Sequence, residues 1–524
     1  MISGVQKLAF AAKASFCTPF AMNRKRLLVN IFSNWTNLAL MIVINFYVSP
    51  ILVHRLGNEQ YGLWTIIVSI TGYFTLLDFG INNAIVRFIS KYVAQKEPDK
   101  ANEMYNTALV FFGRIGLIVL ALMLAGGWLF TRWHTLAGVS ASYLYIVFVL
   151  AGLDVAGHLV FGVFSATLVG LQEFFKMNIV SMTLTILKNF TLVLLVFSGY
   201  KLLTVAAIQL TFNLCKHLWH YLILHKNYQF FRINSTLWTS TTFRTIVGYS
   251  VYSFIIAIAG RVIFLTDSVV IGAVVNVGAV TFYTIPASLL DYLGRIVGAI
   301  TSALVPVISS QEAVGELEKN RVLYLTVTKY LLLLILPMIF VLFTVGHEFI
   351  ALWMGAEYGA NGKWTLRILL VGYAFSFCQW IAYSILLGIS KHVFLAYVMT
   401  AEAALNLGIS IVLGAIYGIE GVALGTTIPL LIANLIVLPI YVCRVLSIEI
   451  GAYYARSFCW SVILLGASSG LYALFPVRIG SYLQLLAYSA GVAAFWWGSG
   501  IFLIIEREHR AWGCARIRER LHFS

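Results

Sequence analysis

The chain has 524 residues, of which 60% are hydrophobic and 10% charged, with a formal net charge of +15. Soluble domains carry roughly 25% charged residues to cover their surface, so a soluble protein is excluded. Unbroken apolar runs of about 20 residues, the length of a helix across a hydrocarbon core, also exclude a membrane barrel of alternating strands.

Residues 1–21 are mildly apolar, carry Lys7 and Lys13, and lack a clear signal-peptide cleavage site. Two readings stay open for them: a surface-lying helix, or a stretch upstream of a true start at Met22, which precedes the basic run Asn23-Arg24-Lys25-Arg26. From there the apolar runs predict an all-α integral membrane fold of about fourteen spans. Six fall near 27–53, 61–82, 107–130, 142–169, 174–197 and 200–223. Six more fall near 246–276, 280–309, 326–345, 365–389, 393–416 and 420–443, and the last two near 455–475 and 481–505. Pro50, Pro286, Pro306, Pro337, Pro429 and Pro439 lie inside spans or at their ends, where each removes an amide donor and bends a helix.

Polar stretches at 83–106, 224–245 and 310–325 predict the longer inner loops, and 346–364 the longest outer one. The expected organisation is an N-terminal segment 1–26, an N-lobe 27–223 and a cytoplasmic inter-lobe loop 224–245. A C-lobe 246–443, two further spans within 444–505 and a basic tail 506–524 complete it. A weak echo between Glu59–Trp64 and Val277–Tyr283, each just before a span, fits a parallel repeat. The cytoplasmic leaflet favours Lys and Arg beside it. With the N-terminus inside, 25 of these residues fall inside and 6 outside, with four left in the spans. An even span count then places the C-terminus inside as well. The charge sits beside apolar runs, so it suits anionic membrane lipid rather than nucleic acid.

Ionisable residues at membrane depth carry the chemical information, because each costs several kcal/mol, about 2.5–3.5 on insertion scales, unless paired or hydrated. The cations are Arg114, Lys188, Arg261 and Arg295; the acids are Asp154, Asp267, Asp291 and Glu402, with Asp78 nearer an edge. Arg295 follows Asp291 by one helical turn, which predicts a local pair. Arg114 and Asp78 share a depth on adjacent spans and predict a second pair. Arg261 is central in its span, and Asp267 lies on another face of that helix. Lys188 is also central and has no acid one turn away. Both therefore need a wet cavity, a ligand or a partner on another helix.

His217, His220 and His225 read as interfacial histidines at an inner helix end. Gly414/Gly418, Gly421/Gly425 and Gly466/Gly470 have the spacing of close helix packing. Six cysteines without a CxxC give neither a disulfide framework nor a metal site. No P-loop, HExxH or GxSxG is present, which disfavours ATP-driven transport and hydrolysis. The longest outer loop offers only His347, Glu348, Glu357 and Lys363, thin material for a membrane-embedded transferase. The reading is a transporter, not an enzyme, with no cofactor.

Leu56-Gly57-Asn58-Glu59-Gln60-Tyr61-Gly62-Leu63-Trp64, followed by Leu76-Leu77-Asp78-Phe79-Gly80-Ile81, resembles the start of the polysaccharide transporter family. That family holds the O-antigen and exopolysaccharide flippases of the multidrug/oligosaccharidyl-lipid/polysaccharide exporter superfamily. Asp267-Ser268-Val269-Val270-Ile271-Gly272, Gly278, Tyr283 and Pro306-Val307-Ile308-Ser309 repeat the match. Gly418-Ile419-Glu420-Gly421-Val422-Ala423-Leu424-Gly425 is also similar to the family's pattern.

The resemblance implies two six-helix bundles in a V around a central cavity, plus two C-terminal helices. It implies a cargo, an oligosaccharide on undecaprenyl pyrophosphate, carried from the inner to the outer leaflet of a bacterial inner membrane for O-antigen, capsule or exopolysaccharide. A polysaccharide polymerase and export machinery are implied partners, beside membrane lipids. A cationic cavity is implied for the pyrophosphate, carried over to Arg261 and Lys188, with Arg295, Arg114 and Arg87 as lesser candidates. Asp154, Asp267 and Glu402 are candidates for coupling to a proton or sodium gradient or to the membrane potential. A multidrug/cation antiporter of the related branch is the alternative, and a membrane scaffold or a glycan ligase or polymerase a third.

Overall fold

The computed structural model describes residues 24–78, 81–133, 140–242, 251–302, 304–313, 315–389 and 391–503. The two readings of residues 1–21 and the basic tail lie outside the described residues. The described residues form helices and short connections, with no strand among them. In lipid a backbone must satisfy its own N–H and C=O groups, and a helix does so within one segment.

The helices are α1 (Arg24–Phe74), α2 (Ile81–Ala94), α3 (Pro98–Trp133), α4 (Ala141–Gly170), α5 (Phe174–Phe197) and α6 (Leu202–Asn227). Then come α7 (Val251–Val274), α8 (Ala279–Ser302), α9 (Val305–Ala313), α10 (Leu317–Met354), α11 (Ala356–Asn361) and α12 (Lys363–Gly388). The last are α13 (His392–Leu431), a π-helical segment Ile432–Val437, α14 (Leu438–Val445), α15 (Ile450–Leu474) and α16 (Tyr482–Leu503). Among the described residues, ten helices are long and apolar enough to cross a membrane. The expected loops at 83–106, 310–325 and 346–364 are largely helical, because a helix leaving lipid can keep its own hydrogen bonds. The predicted span at 280–309 is made of two helices, α8 and α9.

Two of the long helices are broken by glycine. Gly57 has φ +79° and Gly418 φ +65°, left-handed conformations that only glycine adopts without a Cβ penalty. After Gly418, α13 folds back on itself. A Cβ at Gly421 would collide with the carbonyl of Leu413, and one at Gly425 with Ser410, so both glycines are required by the close approach. Gly466 and Gly470 differ: a Cβ at either meets open space, which corrects the packing expected from their spacing.

The chain divides into two units, Met1–Arg261 and Val262–Ser524. In the first, α1 packs on α5, α5 on α6, α6 on α4 and α4 on α3, with α2 against α4. Val48 and Leu56 of α1 meet Leu192 and Val196 of α5 and Val205 and Ile208 of α6 in one buried cluster. Between helices in lipid, such contacts stabilise by dispersion and fit rather than by escape from water. In the second unit α12 packs against α8, α10 and α13, and α15 and α16 both pack on α10.

The polar stretch after α6 is strapped onto the start of α3. Asn106 Nδ2 donates to the carbonyl of Arg232 at 2.8 Å, and its Oδ1 accepts from Asn234 N at 2.7 Å. The Arg232 amide donates to Asn102 Oδ1 at 3.0 Å, and the hydroxyls of Thr239 and Thr242 both donate to Glu103 Oε1 at 2.6 Å. Asn106 is buried, so Asn106→Ala leaves strap backbone groups without partners, at about 1–3 kcal/mol each. The expected result is a melting temperature in detergent lowered by several degrees, with Asn106→Asp less affected because its oxygen still serves Asn234. An unchanged melting temperature in Asn106→Ala would show that the strap adds nothing to stability.

Candidate functional site

In the second unit, the fold-back at Gly418 brings Asn406 and Ser410 on one arm of α13 against Val422 and Thr426 on the other. Asn406 Nδ2 donates to Thr426 Oγ1 at 3.1 Å, and Ser410 Oγ to the Val422 carbonyl at 3.4 Å. Thr426 Oγ1 lies 2.9 and 3.1 Å from the two carboxylate oxygens of Asp267 on α7, donating to them. Tyr283 of α8 donates a hydrogen bond to the same carboxylate. Glu402, one turn before Asn406, is also buried; Asp267 is 6% and Glu402 5% exposed. Glu402 Oε2 and Asn406 Oδ1 have no hydrogen-bond partner, and Tyr373 of α12 lies within electrostatic reach of both acids.

The cluster therefore offers two carboxylates, an amide oxygen and hydroxyls, with buried acceptors left over and no ion pair to either acid among the described residues. Unmatched buried acceptors are costly in lipid. An oxygen-only set that is short of donors suits a hard cation or a proton. A histidine- and cysteine-rich metal site is a different chemistry, and no group of three or more His, Cys, Asp or Glu able to hold a metal occurs among the described residues.

The first unit carries a cluster of opposite balance. Asn213 Nδ2 on α6 donates to both oxygens of Asp154 on α4, at 2.8 and 3.1 Å. Lys188 of α5 donates to Gln209 Oε1 on α6 at 3.0 Å, so its expected partner on another helix is a neutral amide. Lys216 of α6 and Lys188 both interact electrostatically with Asp154, giving two cations to one acid. Sequence reading missed Lys216 by counting it with the inner-loop charges. The stripe Gln209, Asn213, Lys216 on one face of an apolar helix was the available signal.

Residues 29–312 match the family described as polysaccharide biosynthesis protein. The chain belongs to that family. It is a multi-pass membrane protein of the polysaccharide transporter branch of the multidrug/oligosaccharidyl-lipid/polysaccharide exporter superfamily. It is 23% identical over 395 residues to a Shigella flexneri protein provisionally named an O-antigen transporter, covering 74% of this chain and 91% of that one. It is also 23% identical over 526 residues to the uncharacterized membrane protein EpsK of Bacillus subtilis, covering 94% and 98%. Among solved structures, the fold is similar to the lipid II flippase MurJ in an inward closed conformation, with a TM-score of 0.64 and 15% identity over 91% of this chain and 98% of that one. It is similar as well to an inward-facing multidrug resistance transporter of the MATE family, with a TM-score of 0.65 and 14% identity over 77% and 94%.

Among the described residues, the remaining candidates of this polysaccharide transporter family member make no ion pair with the residues of the two clusters. Arg295 Nε and Asp291 Oδ2 form the expected local pair at 2.9 Å, with both side chains about half exposed. Arg114 does not pair with Asp78: its guanidinium lies over the Trp238 ring at 5.2 Å, while Asp78 accepts from Asn82 N at 3.0 Å. The strap brings Trp238 to α3, which sequence depth could not anticipate. Arg261 is exposed and forms no ion pair among the described residues. The side chain of Arg87 lies outside the described ones.

Proposed function

We propose that this chain is a flippase that carries an oligosaccharide on undecaprenyl pyrophosphate from the inner to the outer leaflet of the bacterial cytoplasmic membrane. The cargo serves O-antigen, capsule or exopolysaccharide synthesis, and a polymerase and export machinery act downstream. Transport proceeds by alternating access driven by a cation or proton gradient. The observation that carries this reading is the Lys188–Lys216 pair facing the single acid Asp154 at membrane depth, a net positive site of the kind a pyrophosphate needs. The oxygen cluster around Asp267 and Glu402 supports coupling to a sodium ion or a proton. The excess of lysine argues against the alternative cargo, a cationic drug.

Counting α1 and α13 as two spans each, at Gly57 and Gly418, and adding α6 and α8 gives fourteen spans: two bundles of six and two C-terminal helices. Both termini then lie in the cytoplasm, as the charge asymmetry favours. Deleting the gene is expected to stop surface polysaccharide while lipid-linked repeat units accumulate on the inner leaflet, with resistance to cationic dyes unchanged. Intact polysaccharide with lost dye resistance would overturn the reading in favour of the antiporter.

A further inference from the structure

The α4–α6 seam carries three histidines that neither cluster uses. His158, one turn beyond Asp154 on α4, packs its ring on that of His217 of α6, with centroids 5.5 Å apart. Further along, His220 Nδ1 and Ser165 Oγ are 2.7 Å apart. The pairings Asp154–Asn213, His158–His217 and Ser165–His220 advance together along both helices. Eleven residues of α4, from Asp154 to Ser165, correspond to about 16 Å of helix, roughly half of the ~30 Å hydrocarbon core. Beyond His220 the line continues to Tyr221 and His225, whose rings lie 4.0 Å apart, and His225 is in the last turn of α6.

His217 is 2% and His220 3% exposed, while His158 is exposed. His220 Nε2 has no hydrogen-bond partner. Apolar side chains would fill this seam at lower cost, since an imidazole in lipid loses its hydration on both nitrogens. Lys216 acts electrostatically on all three rings. Asp154 and Lys188 lie further along, α3 contributes Tyr105 against His225, and α2 brings the neutral Asn82 and Ser90 to α4. The expectation of interfacial histidines at a helix end describes His225 but not His217 and His220, which are buried between helices.

We propose that the α4–α6 seam is a proton-binding line in which His220, His217 and His158 exchange protons between the end of α6 and Asp154. Imidazole suits this task because one ring nitrogen can accept a proton while the other releases one, so each transfer forms one N–H or O–H bond and breaks another. The charge moved is one proton per step, and no other reactant is needed. The line would set the charge of the Asp154–Lys188–Lys216 cluster from the membrane side at which α6 ends. This goes beyond the flippase reading and does not require it.

The test is deuterium exchange at the carbon between the two ring nitrogens, read by mass spectrometry on the full chain in lipid nanodiscs from pH 5 to 9. Exchange there needs both protonation and access to solvent protons. All three histidines are expected to exchange measurably above the background of a sealed ring within that range. A flat background rate at His217 and His220, with or without exchange at His158, would mark them as a sealed core and overturn the proposal. His220→Phe, in a sample of unchanged size and melting temperature, is expected to slow exchange at His217 at least fivefold. An unchanged rate at His217 would mean that each ring is reached independently, and the relay would fail even if the flippase reading stood.

Discussion

Asp267→Asn is expected to lower polysaccharide export at least tenfold while the amount of protein in the membrane stays normal. The substitution keeps the shape of the group and its oxygen for Tyr283, and removes the charge around which Tyr283 and Thr426 are arranged. Glu402→Gln is expected to act alike, because Glu402 Oε2 has no donor to lose and the carboxylate therefore has no visible structural duty. Thr426→Val should produce a smaller loss, removing one hydroxyl and leaving both acids. Export would be measured at fixed pH across sodium concentrations, beside membrane abundance, and the coupling reading requires the sodium or pH response to flatten in both acid variants. Wild-type export in Asp267→Asn and Glu402→Gln would make the cluster a structural one.

The second large effect is expected at the cations. Lys188→Ala and Lys216→Ala should each reduce export, and the double variant should abolish it. A charge-assisted hydrogen bond is worth about 1.5–3 kcal/mol, or roughly ten- to hundredfold in binding per cation lost. Lys188→Arg keeps the charge and is expected to be better tolerated. The competing account is that the lysines only neutralise Asp154. That account predicts low membrane abundance in the double variant, restored together with export by Asp154→Asn; the anion-site account predicts normal abundance and no restored export. Arg261 provides a control free of this ambiguity, because it is exposed and its removal orphans no acid among the described residues. Arg261→Ala should lose export without losing protein, and Arg261→Lys should recover it only in part, since the planar fork is gone. Full export from an abundant Arg261→Ala protein would remove Arg261 from the site.

What could be read without a structure depended on how far apart in the chain the cause and its effect lie. Lipid forces each spanning segment to satisfy its own backbone, so helicity follows from composition one segment at a time. The pair Asp291–Arg295 follows from one helical turn, and the break and close approach at Gly418, Gly421 and Gly425 follow from glycines within a few residues of one another. The same spacing misled at Gly466 and Gly470, because spacing says which residues share a face and not whether another helix covers it. The functional clusters needed the tertiary structure. Asp154 and Asn213 are 59 residues apart, Thr426 and Asp267 159, and Asn106 and Asn234 128. Lys216 counted as an inner-edge charge until the rotation of α6 turned it toward α4, and Arg114 found Trp238 rather than Asp78 because the strap lies over α3. Hydrophobicity and length settle that a helix can cross. Its rotation and its neighbours are decided by side-chain fit between helices, a sum of many small contacts that one helix's own sequence does not contain.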